Sequence, residues 1–134
     1  MDLTGRAQLS ASLDRVFETV ADLTTYPDWL GIVRSVVADG DGWLVEVGAK
    51  LGPFWRTKRV RMVRAEHAPP TRVRFERDER DGQEHSPWIL TAELALPTLT
   101  MRLHYGGRLW LPLLEPVLKE EIRKAGGRLE RLLT

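Results

Sequence analysis

The sequence has no cysteine among its 134 residues, and it has only three histidines, His67, His85 and His104. The absence of cysteine excludes disulfides, thiolate catalysis and cysteine-based zinc sites, and it fits a reducing cytoplasm. No two histidines have the spacing of a metal-binding motif, and no P-loop, GxGxxG or GxSxG pattern is present. We therefore predict no metal site, no cofactor and no catalytic residue.

Net charge is small, and long apolar runs are missing. The formal net charge of +1 gives no overall field that would attract nucleic acid or an anionic membrane. No apolar run approaches the roughly 20 residues that span a bilayer, and the N-terminus lacks a signal-peptide pattern. A chain of this length and 43% hydrophobic content can form one core. We expect one cytoplasmic domain over residues 1–134, without a nucleic-acid partner or stable membrane insertion, and the sequence carries no signal for an oligomeric state.

The segment from Trp110 to Thr134 has the periodicity of one long amphipathic helix. Its apolar stripe recurs at three- and four-residue steps and consists of Leu114, Leu118, Ile122, Ala125, Leu129 and Leu132. Pro116 lacks an N–H, so the helix starts or kinks there. Gly126 and Gly127 each cost about 1 kcal/mol relative to alanine in a helix. Gly126 either leaves open cavity space, which is the interpretation we favour, or allows close contact with a neighbour such as the short helices near Trp29.

The rest of the chain reads as strand, two short helices and six further strands. Leu3–Leu9 has a weak strand alternation, and Ser12–Ala21 has helical spacing. Asp22 can cap a second helical piece, which the segment Tyr26–Trp29 ends or restarts. Segments with one apolar and one charged face then follow from Ile32 to Tyr105, separated by hairpin turns. This order predicts an α+β fold, in which a curved antiparallel sheet of about seven strands wraps around the C-terminal helix.

These features resemble the helix-grip superfamily, which includes START lipid-transfer domains, birch-pollen-allergen-like proteins and polyketide cyclases/dehydrases (SRPBCC). The sequence is most similar to the bacterial polyketide cyclase/dehydrase and lipid-transport group. The residues that carry the resemblance are Ser12–Glu18, Asp22 with Tyr26–Trp29, Ala68–Val73, and the final helix after Gly106–Gly107. The resemblance implies a helix-grip fold with an apolar cavity between sheet and helix, and it offers no shared catalytic motif.

The inward-facing residues define the expected ligand site. We predict a cavity on the order of a few hundred Å³, with ligand contacts from Val47, Met62, Phe75, Trp88, Leu90, Met101, Leu103, Tyr105, Ile122 and Gly126. Trp88 and Tyr105 either belong to the core alone or line the cavity, where the Tyr105 hydroxyl would orient a bound molecule. Trp29 is interpreted as a structural plug.

Two functional hypotheses follow, and the inward set favours the first because it contains no carboxylate or histidine. The first is a carrier or sensor of a small hydrophobic molecule such as a lipid, a quinone or a polyketide-like aromatic. The second is a polyketide aromatase/cyclase acting in the same cavity, with Tyr105 and Arg77 as candidate polar groups. A protein-binding module is a third possibility, favoured if the cavity proves filled.

A run of basic residues has no acid within it and consists of Lys50, Arg56, Lys58, Arg59, Arg61 and Arg64, with Arg72 and Arg74 on the neighbouring strand. It either contacts phosphate or anionic lipid or forms a solvated convex face partly paired with Glu76 and Asp78, which we favour. No aromatic interleaving near the run indicates base stacking. His67 is expected in a turn and His104 on the outer face.

Overall fold

The computed structural model describes residues 1–106 and 114–134, excluding the side chains of Leu51 and Leu114. Strand β1 spans Asp2–Gln8, helix α1 spans Leu13–Val20, and a 3-10 helix spans Leu23–Asp28. The six following strands, β2 to β7, span Val33–Asp39, Gly42–Leu51, Phe54–Ala68, Arg72–Arg77, Trp88–Ala95 and Thr98–Tyr105. Helix α2 spans Leu114–Leu133, so the predicted helical residues 110–113 lie outside the described residues.

All the strands join one antiparallel sheet in the order β1-β7-β6-β5-β4-β3-β2. The strands from β2 to β7 form a meander, and β1 pairs with the last strand, with Leu3 opposite Leu103. Irregular pairings next to Ser35 and between Arg64 and Glu66 bend the sheet. The predicted α+β fold of a curved sheet around the C-terminal helix is confirmed.

Local capping explains the two helices that follow β1. The Ser12 hydroxyl accepts a hydrogen bond from the Arg15 N–H at the start of α1, as the sequence predicted. The Asp22 carboxylate accepts from the Thr24 N–H at 3.0 Å and starts the 3-10 helix. This helix includes Pro27 and ends at Asp28 with Trp29 as its C-cap, within the predicted Tyr26–Trp29 segment.

Glycines with left-handed backbone conformations close two hairpins around β3. Gly40, with φ of +63°, turns the chain between β2 and β3, and Gly52, with φ of +59°, turns it between β3 and β4. Strands β3 and β4 pair continuously from Gly42 opposite Val63 to Leu51 opposite Phe54. They therefore form a long hairpin, and its closing turn at 52–53 lies far beyond the residues that pair with β5.

Helix α2 lies against β1, β3 and the 3-10 helix. Its described buried residues are Leu118, Ala125, Leu129 and Leu133, separated by steps of seven, four and four residues along one face. The sequence placed Leu132 on this stripe, which is wrong: Leu132 is 45% exposed, because its position is rotated about 100° from that of Leu133. Pro116 lies in the first turn of the described helix, where its missing N–H has no intrahelical partner.

Candidate ligand-binding site

The concave face of the sheet holds two small apolar cavities in the described part of the chain. The first has a volume of about 30 Å³ and lies between β1, β7 and α2; its lining includes Gly5, Met101, Ile122, Ala125, Gly126 and Leu129. The second also has about 30 Å³ and lies deeper, against β3 and β4; its lining includes Leu23, Val45, Val47, Val60 and Met62. Each volume corresponds to one or two water molecules, and most lining residues are apolar, although Arg6 and Arg102 also line the first cavity.

Four side chains separate the two cavities and line both of them. Leu30 and Ile32 contribute from the segment between the 3-10 helix and β2, and Leu90 and Leu103 contribute from paired positions on β6 and β7. The two pairs of residues differ in their secondary structure. Leu90 and Leu103 belong to the centre of the sheet, whereas Leu30 and Ile32 lie outside the regular strands.

The predicted cavity of a few hundred Å³ is wrong for this conformation. Side chains fill most of the space between the concave face and α2, including the fully buried Tyr26, Trp29 and Phe75. Burial of these aromatic rings contributes strongly to stability because each ring removes a large apolar area from water. A ligand larger than a few atoms therefore requires part of this core to move.

Eight of the ten predicted ligand contacts line at least one cavity: Val47, Met62, Trp88, Leu90, Met101, Leu103, Ile122 and Gly126. The remaining two, Phe75 and Tyr105, are buried but line neither cavity. The assignment of these residues as ligand contacts stays a prediction. What the structure adds is that the eight lie around two adjoining spaces and not around one.

Phe75 belongs to an aromatic cluster at the end of the sheet near the 3-10 helix. Its ring makes edge contacts with Tyr26 at 6.1 Å and with Trp43 at 5.9 Å between ring centroids. Trp29 packs on Tyr26 at 4.4 Å and donates its indole N–H to the Thr25 hydroxyl. Trp29 was interpreted as a structural plug, and it also lines the first cavity.

Both tyrosines are buried. The Tyr26 hydroxyl donates to the Val20 carbonyl at 2.6 Å, and burial, with a smaller effect of the Asp22 charge, raises its pKa. Tyr105 stacks on Trp88 at 5.4 Å, and its hydroxyl donates to the Met1 sulfur. Burial raises the pKa of the Tyr105 phenol as well, and the Glu115 charge makes a smaller contribution in the same direction. Both phenols therefore remain protonated near neutral pH.

Arg77, the other candidate polar group, lies on the concave side, paired with Met62. Its guanidinium donates to the Ser86 carbonyl at 3.1 Å and pairs with the Glu79 carboxylate at 3.3 Å. Nearby Lys58 has a lowered pKa, first because burial disfavours its charge and then because Arg77 repels it. The Arg77 donors are thus directed at the protein and not at either cavity.

Gly126 is a position of close contact, which corrects the favoured interpretation of open space. A Cβ atom built at Gly126 would lie 2.6 Å from the Ala7 Cβ on β1. Conversely, a Cβ at Gly5 on the same strand would overlap the Ile122 side chain of α2. The contact partner is therefore β1 and not the short helices near Trp29, and small residues on both elements allow helix and strand to approach.

Sequence reasoning missed several residues around the cavities. Gly5 and Ala7 lie on a strand with weak alternation, and Leu30 and Ile32 lie on an irregular segment, so periodicity could not assign their direction. The one available signal was Gly5, because a glycine inside a strand often marks close approach of another element. That signal, combined with Gly126, indicates a helix packed directly on β1.

Some cations of the basic run and its neighbouring strand form ion pairs with carboxylates. Arg61 is buried and binds the carboxylates of Asp39 at 2.9 Å and Asp41 at 2.7 Å. The carboxylate partners of Arg72 are Glu66 and Glu93, and that of Arg74 is Glu76. Arg64 donates to the Ala21 carbonyl. The pairing predicted with Glu76 is present, whereas the Asp78 carboxylate pairs with Arg80.

The histidines form no metal site in the described residues. His67 lies in β4 and stacks on Phe17 at 5.5 Å, so its predicted place in a turn is wrong. His85 pairs with Asp81 at 2.7 Å, and His104 pairs with Asp2 on the outer face at the same distance. Each imidazole thus has a structural contact of its own.

A curved antiparallel sheet closed by a C-terminal helix, with apolar space between them, defines the helix-grip class of protein. Over residues 2–134 the sequence matches the family described as polyketide cyclase / dehydrase and lipid transport. The chain therefore belongs to this family. A comparison with curated proteins finds no match.

Solved structures of low sequence identity share the fold. A conserved protein from Geobacillus kaustophilus aligns with a TM-score of 0.72 at 12% identity, covering 99% of this chain and 95% of that one. A START superfamily protein from Mycobacterium smegmatis aligns with a TM-score of 0.65 at 12% identity over 98% and 96% of the two chains. A di-domain ARO/CYC protein, BexL from the BE-7585A biosynthetic pathway, aligns with a TM-score of 0.61 at 13% identity, over 99% of this chain and 50% of that chain.

In residues 1–106 and 114–134, no helix combines the length and the apolar character needed to cross a membrane.

Proposed function

We propose that this protein binds a small hydrophobic molecule between the concave face of the sheet and α2, as a carrier or sensor. The ligand classes that suit such a site are lipids, quinones and polyketide-like aromatics. The observation that carries the proposal is the placement of two mostly apolar cavities side by side, with four residues that line both of them. Family membership supports it, because the family description includes lipid transport.

The packing of the core gives the physical reason. Protein interiors contain few voids, because atoms that line a void lose dispersion contacts. Two voids at one place in a small core therefore mark where a ligand can restore contacts by occupying space. Apart from Arg6 and Arg102 at the first cavity, the described residues that line the two cavities carry no charge, so a mainly apolar ligand matches these walls.

The segment that carries Leu30 and Ile32 is the part of the partition that can move. The Leu30 N–H donates to the Tyr26 carbonyl, and the Ile32 carbonyl accepts from the Gly48 N–H. Displacing this segment breaks few backbone hydrogen bonds, whereas displacing Leu90 or Leu103 disrupts the β6–β7 ladder. We infer that binding moves Leu30 and Ile32 outward and joins the two cavities into one.

The test uses titration with the apolar fluorophore N-phenylnaphthylamine and two leucine variants of matched chemistry. Leu103→Ala removes part of the partition, whereas Leu94→Ala removes the same atoms from a buried residue that lines neither cavity. We expect each variant to lose about 2–5 kcal/mol of stability. Only Leu103→Ala should bind the fluorophore more tightly than the wild-type protein, because only it joins the cavities.

Saturable binding to the wild-type protein with a cooperative melt is the first expected result. The proposal fails if neither the wild type nor Leu103→Ala binds the fluorophore saturably. It also fails if Leu94→Ala gains as much affinity as Leu103→Ala, because binding would then follow general loosening of the core. Native mass spectrometry of protein purified from its own host would identify a retained ligand.

The aromatase/cyclase hypothesis rests on the fold shared with the di-domain ARO/CYC protein. It would require a polar group directed at the substrate. The described contacts of Arg77 and of the Tyr105 hydroxyl are with Ser86, Glu79 and Met1, which favours binding over catalysis. Turnover of a poly-β-keto substrate, lost in Tyr105→Phe or Arg77→Ala, would establish the enzyme instead.

A further inference from the structure

The closing end of the β3–β4 hairpin exposes two aromatic side chains that lie within the basic run, so the expectation of no aromatic residues near that run is wrong. Phe54 is 69% exposed and Trp55 is 49% exposed. Phe54 pairs with Leu51 and Trp55 pairs with Lys50, so both lie beside the turn at 52–53. Phe54 is the most exposed large apolar side chain in the described part of the protein. An aromatic ring at the tip of a long hairpin contributes nothing to the core.

Cations without acidic partners surround these aromatic rings. The sequence has no acid from Val47 to Ala65. Within the basic run and its neighbouring strand, the described ion pairs involve Arg61, Arg72 and Arg74, whereas Lys50, Arg56 and Arg59 have none. Lys50 pairs with Trp55 and Arg56 follows Trp55 along β4, whereas Arg59 lies further from the turn, opposite Glu46 on β3. The hairpin end therefore carries positive charge that the described protein does not neutralise.

A groove behind the hairpin end continues this positive surface. It has a volume of about 300 Å³ and lies between the hairpin and α2, with Arg34, Lys50, Trp55, Glu121 and Arg128 in its lining. Glu121 pairs with Arg128 at 3.1 Å, and the Arg34 guanidinium lies 4.0 Å from the centre of the Trp55 ring. Arg34 and Lys50 thus remain available to an anionic group in the groove.

We propose that this hairpin end docks the protein on the surface of a bilayer that contains anionic phospholipid. Phe54 and Trp55 insert at the level of the headgroups, where aromatic rings are favoured. Arg34, Lys50 and Arg56 contact lipid phosphates, which attract basic residues close to the surface. The attachment is peripheral, and it does not depend on whether the cavities bind a ligand.

The arrangement favours a lipid surface over single-stranded nucleic acid. A nucleic-acid groove places aromatic side chains along its length, so that successive bases stack on them. Here the two aromatic residues lie together at one tip, and Arg34 already covers one face of the Trp55 ring. The geometry matches shallow insertion of the tip with cations behind it.

Vesicle co-sedimentation tests the proposal with the full chain at low salt. One set of vesicles is pure phosphatidylcholine, and the other has equal parts of phosphatidylcholine and phosphatidylglycerol. The wild-type protein should bind only the second set, and added salt should release it because screening weakens charge attraction. Phe54→Ser should weaken binding roughly tenfold or more. The double variant Lys50→Gln/Arg56→Gln should weaken it on the order of twenty-five-fold, about fivefold for each charge.

Matched controls change the same chemistry elsewhere on the surface. Val37→Ser removes another exposed apolar side chain, and Arg15→Gln/Lys124→Gln removes two exposed charges away from the hairpin. Both controls should bind anionic vesicles like the wild type, and all variants should keep the wild-type melting temperature within a few degrees. A loss of vesicle binding then cannot be attributed to unfolding of the variant.

Three results would overturn the proposal. The first is an absence of wild-type binding to anionic vesicles at low salt. The second is an equal loss of binding in the control variants, which would reduce the effect to net charge or general hydrophobicity. The third is binding to a single-stranded oligonucleotide that the hairpin variants abolish while vesicle binding is unchanged.

Discussion

The contact between α2 and β1 predicts opposite effects of one substitution at two adjacent glycines. Gly126→Ala adds a Cβ at 2.6 Å from the Ala7 Cβ, about 1 Å less than an ordinary contact between carbon atoms. Gly127→Ala adds a Cβ whose nearest neighbour outside the helix backbone is an Arg131 nitrogen at 3.8 Å. The two variants share their chemistry and their helix, so only the tertiary contact differs.

The magnitudes follow from two competing effects. Alanine is favoured over glycine by about 1 kcal/mol inside a helix, and this gain applies at both positions. Overpacking at Gly126 costs about 1–3 kcal/mol, because α2 must move away from β1. We therefore expect Gly127→Ala to be more stable than the wild type by about 1 kcal/mol. Gly126→Ala should fall below Gly127→Ala by about 1–3 kcal/mol.

Thermal and chemical unfolding of the purified variants measure this difference. For a domain of this size about 1 kcal/mol corresponds to roughly 4 °C, so the melting temperatures of the two variants should differ by about 4–12 °C. The added substitution Ala7→Gly should recover part of the loss in Gly126→Ala, because it removes the atom that the new Cβ meets. A double-mutant cycle isolates that coupling.

Equal melting temperatures of Gly126→Ala and Gly127→Ala would refute the reasoning. A melting temperature of Gly126→Ala above that of Gly127→Ala would show that position 126 faces open space. An absence of coupling between Ala7 and Gly126 would show that the contact with β1 does not set the requirement for glycine. Any of these results would mean that close packing on β1 is not the reason for the glycine in α2.

Two further predictions concern the buried arginine and the helix. The hydrogen bond from Arg61, with further contributions from Arg80, holds the pKa of Asp41 below its usual value. The stability that the Asp41 carboxylate contributes is therefore complete above the ordinary pKa of aspartate and is lost as pH falls through the lowered pKa of the folded state. We expect Asp41→Asn to be less stable near neutral pH and to show a weaker loss of stability with falling pH. A stability profile like that of the wild type would contradict this. Truncation after Gly106 should give aggregated or molten material, because the apolar concave face would meet water at about 25 cal/mol per Å², and a fragment that melts cooperatively would contradict this expectation.

The order of the elements was predictable from the sequence because it depends on local periodicity. Alternation along β3 to β7 identified the strands, and the stripe from Leu118 to Leu129 identified α2. Helix starts at Ser12 and Asp22 were predictable because capping is a contact within a few residues. Eight of the residues predicted as ligand contacts were found at the cavities, six because strand alternation places them on the concave face and two, Ile122 and Gly126, because helical spacing places them on the facing side of α2.

The volume of the cavity was not predictable, and neither was the reason for Gly126. Both depend on how closely α2 approaches β1, which is set by Gly5, Ala7, Ile122 and Gly126 together. Residues on elements more than a hundred positions apart carry no local signal of their distance. The ion pairs of the basic run were also not predictable from local sequence, because the β2–β3 turn is what brings Asp39 and Asp41 to Arg61.

Local sequence thus determined which residues face the interior, since the period of a strand or helix is a property of consecutive residues. Tertiary packing alone decided how much space they leave. Side chains fill a core to nearly crystalline density, so a shift of about 1 Å between a helix and a strand changes a cavity by as much as a whole side chain does. The distance between helix and strand results from many contacts across the sheet, so it cannot be predicted from any single segment of the chain.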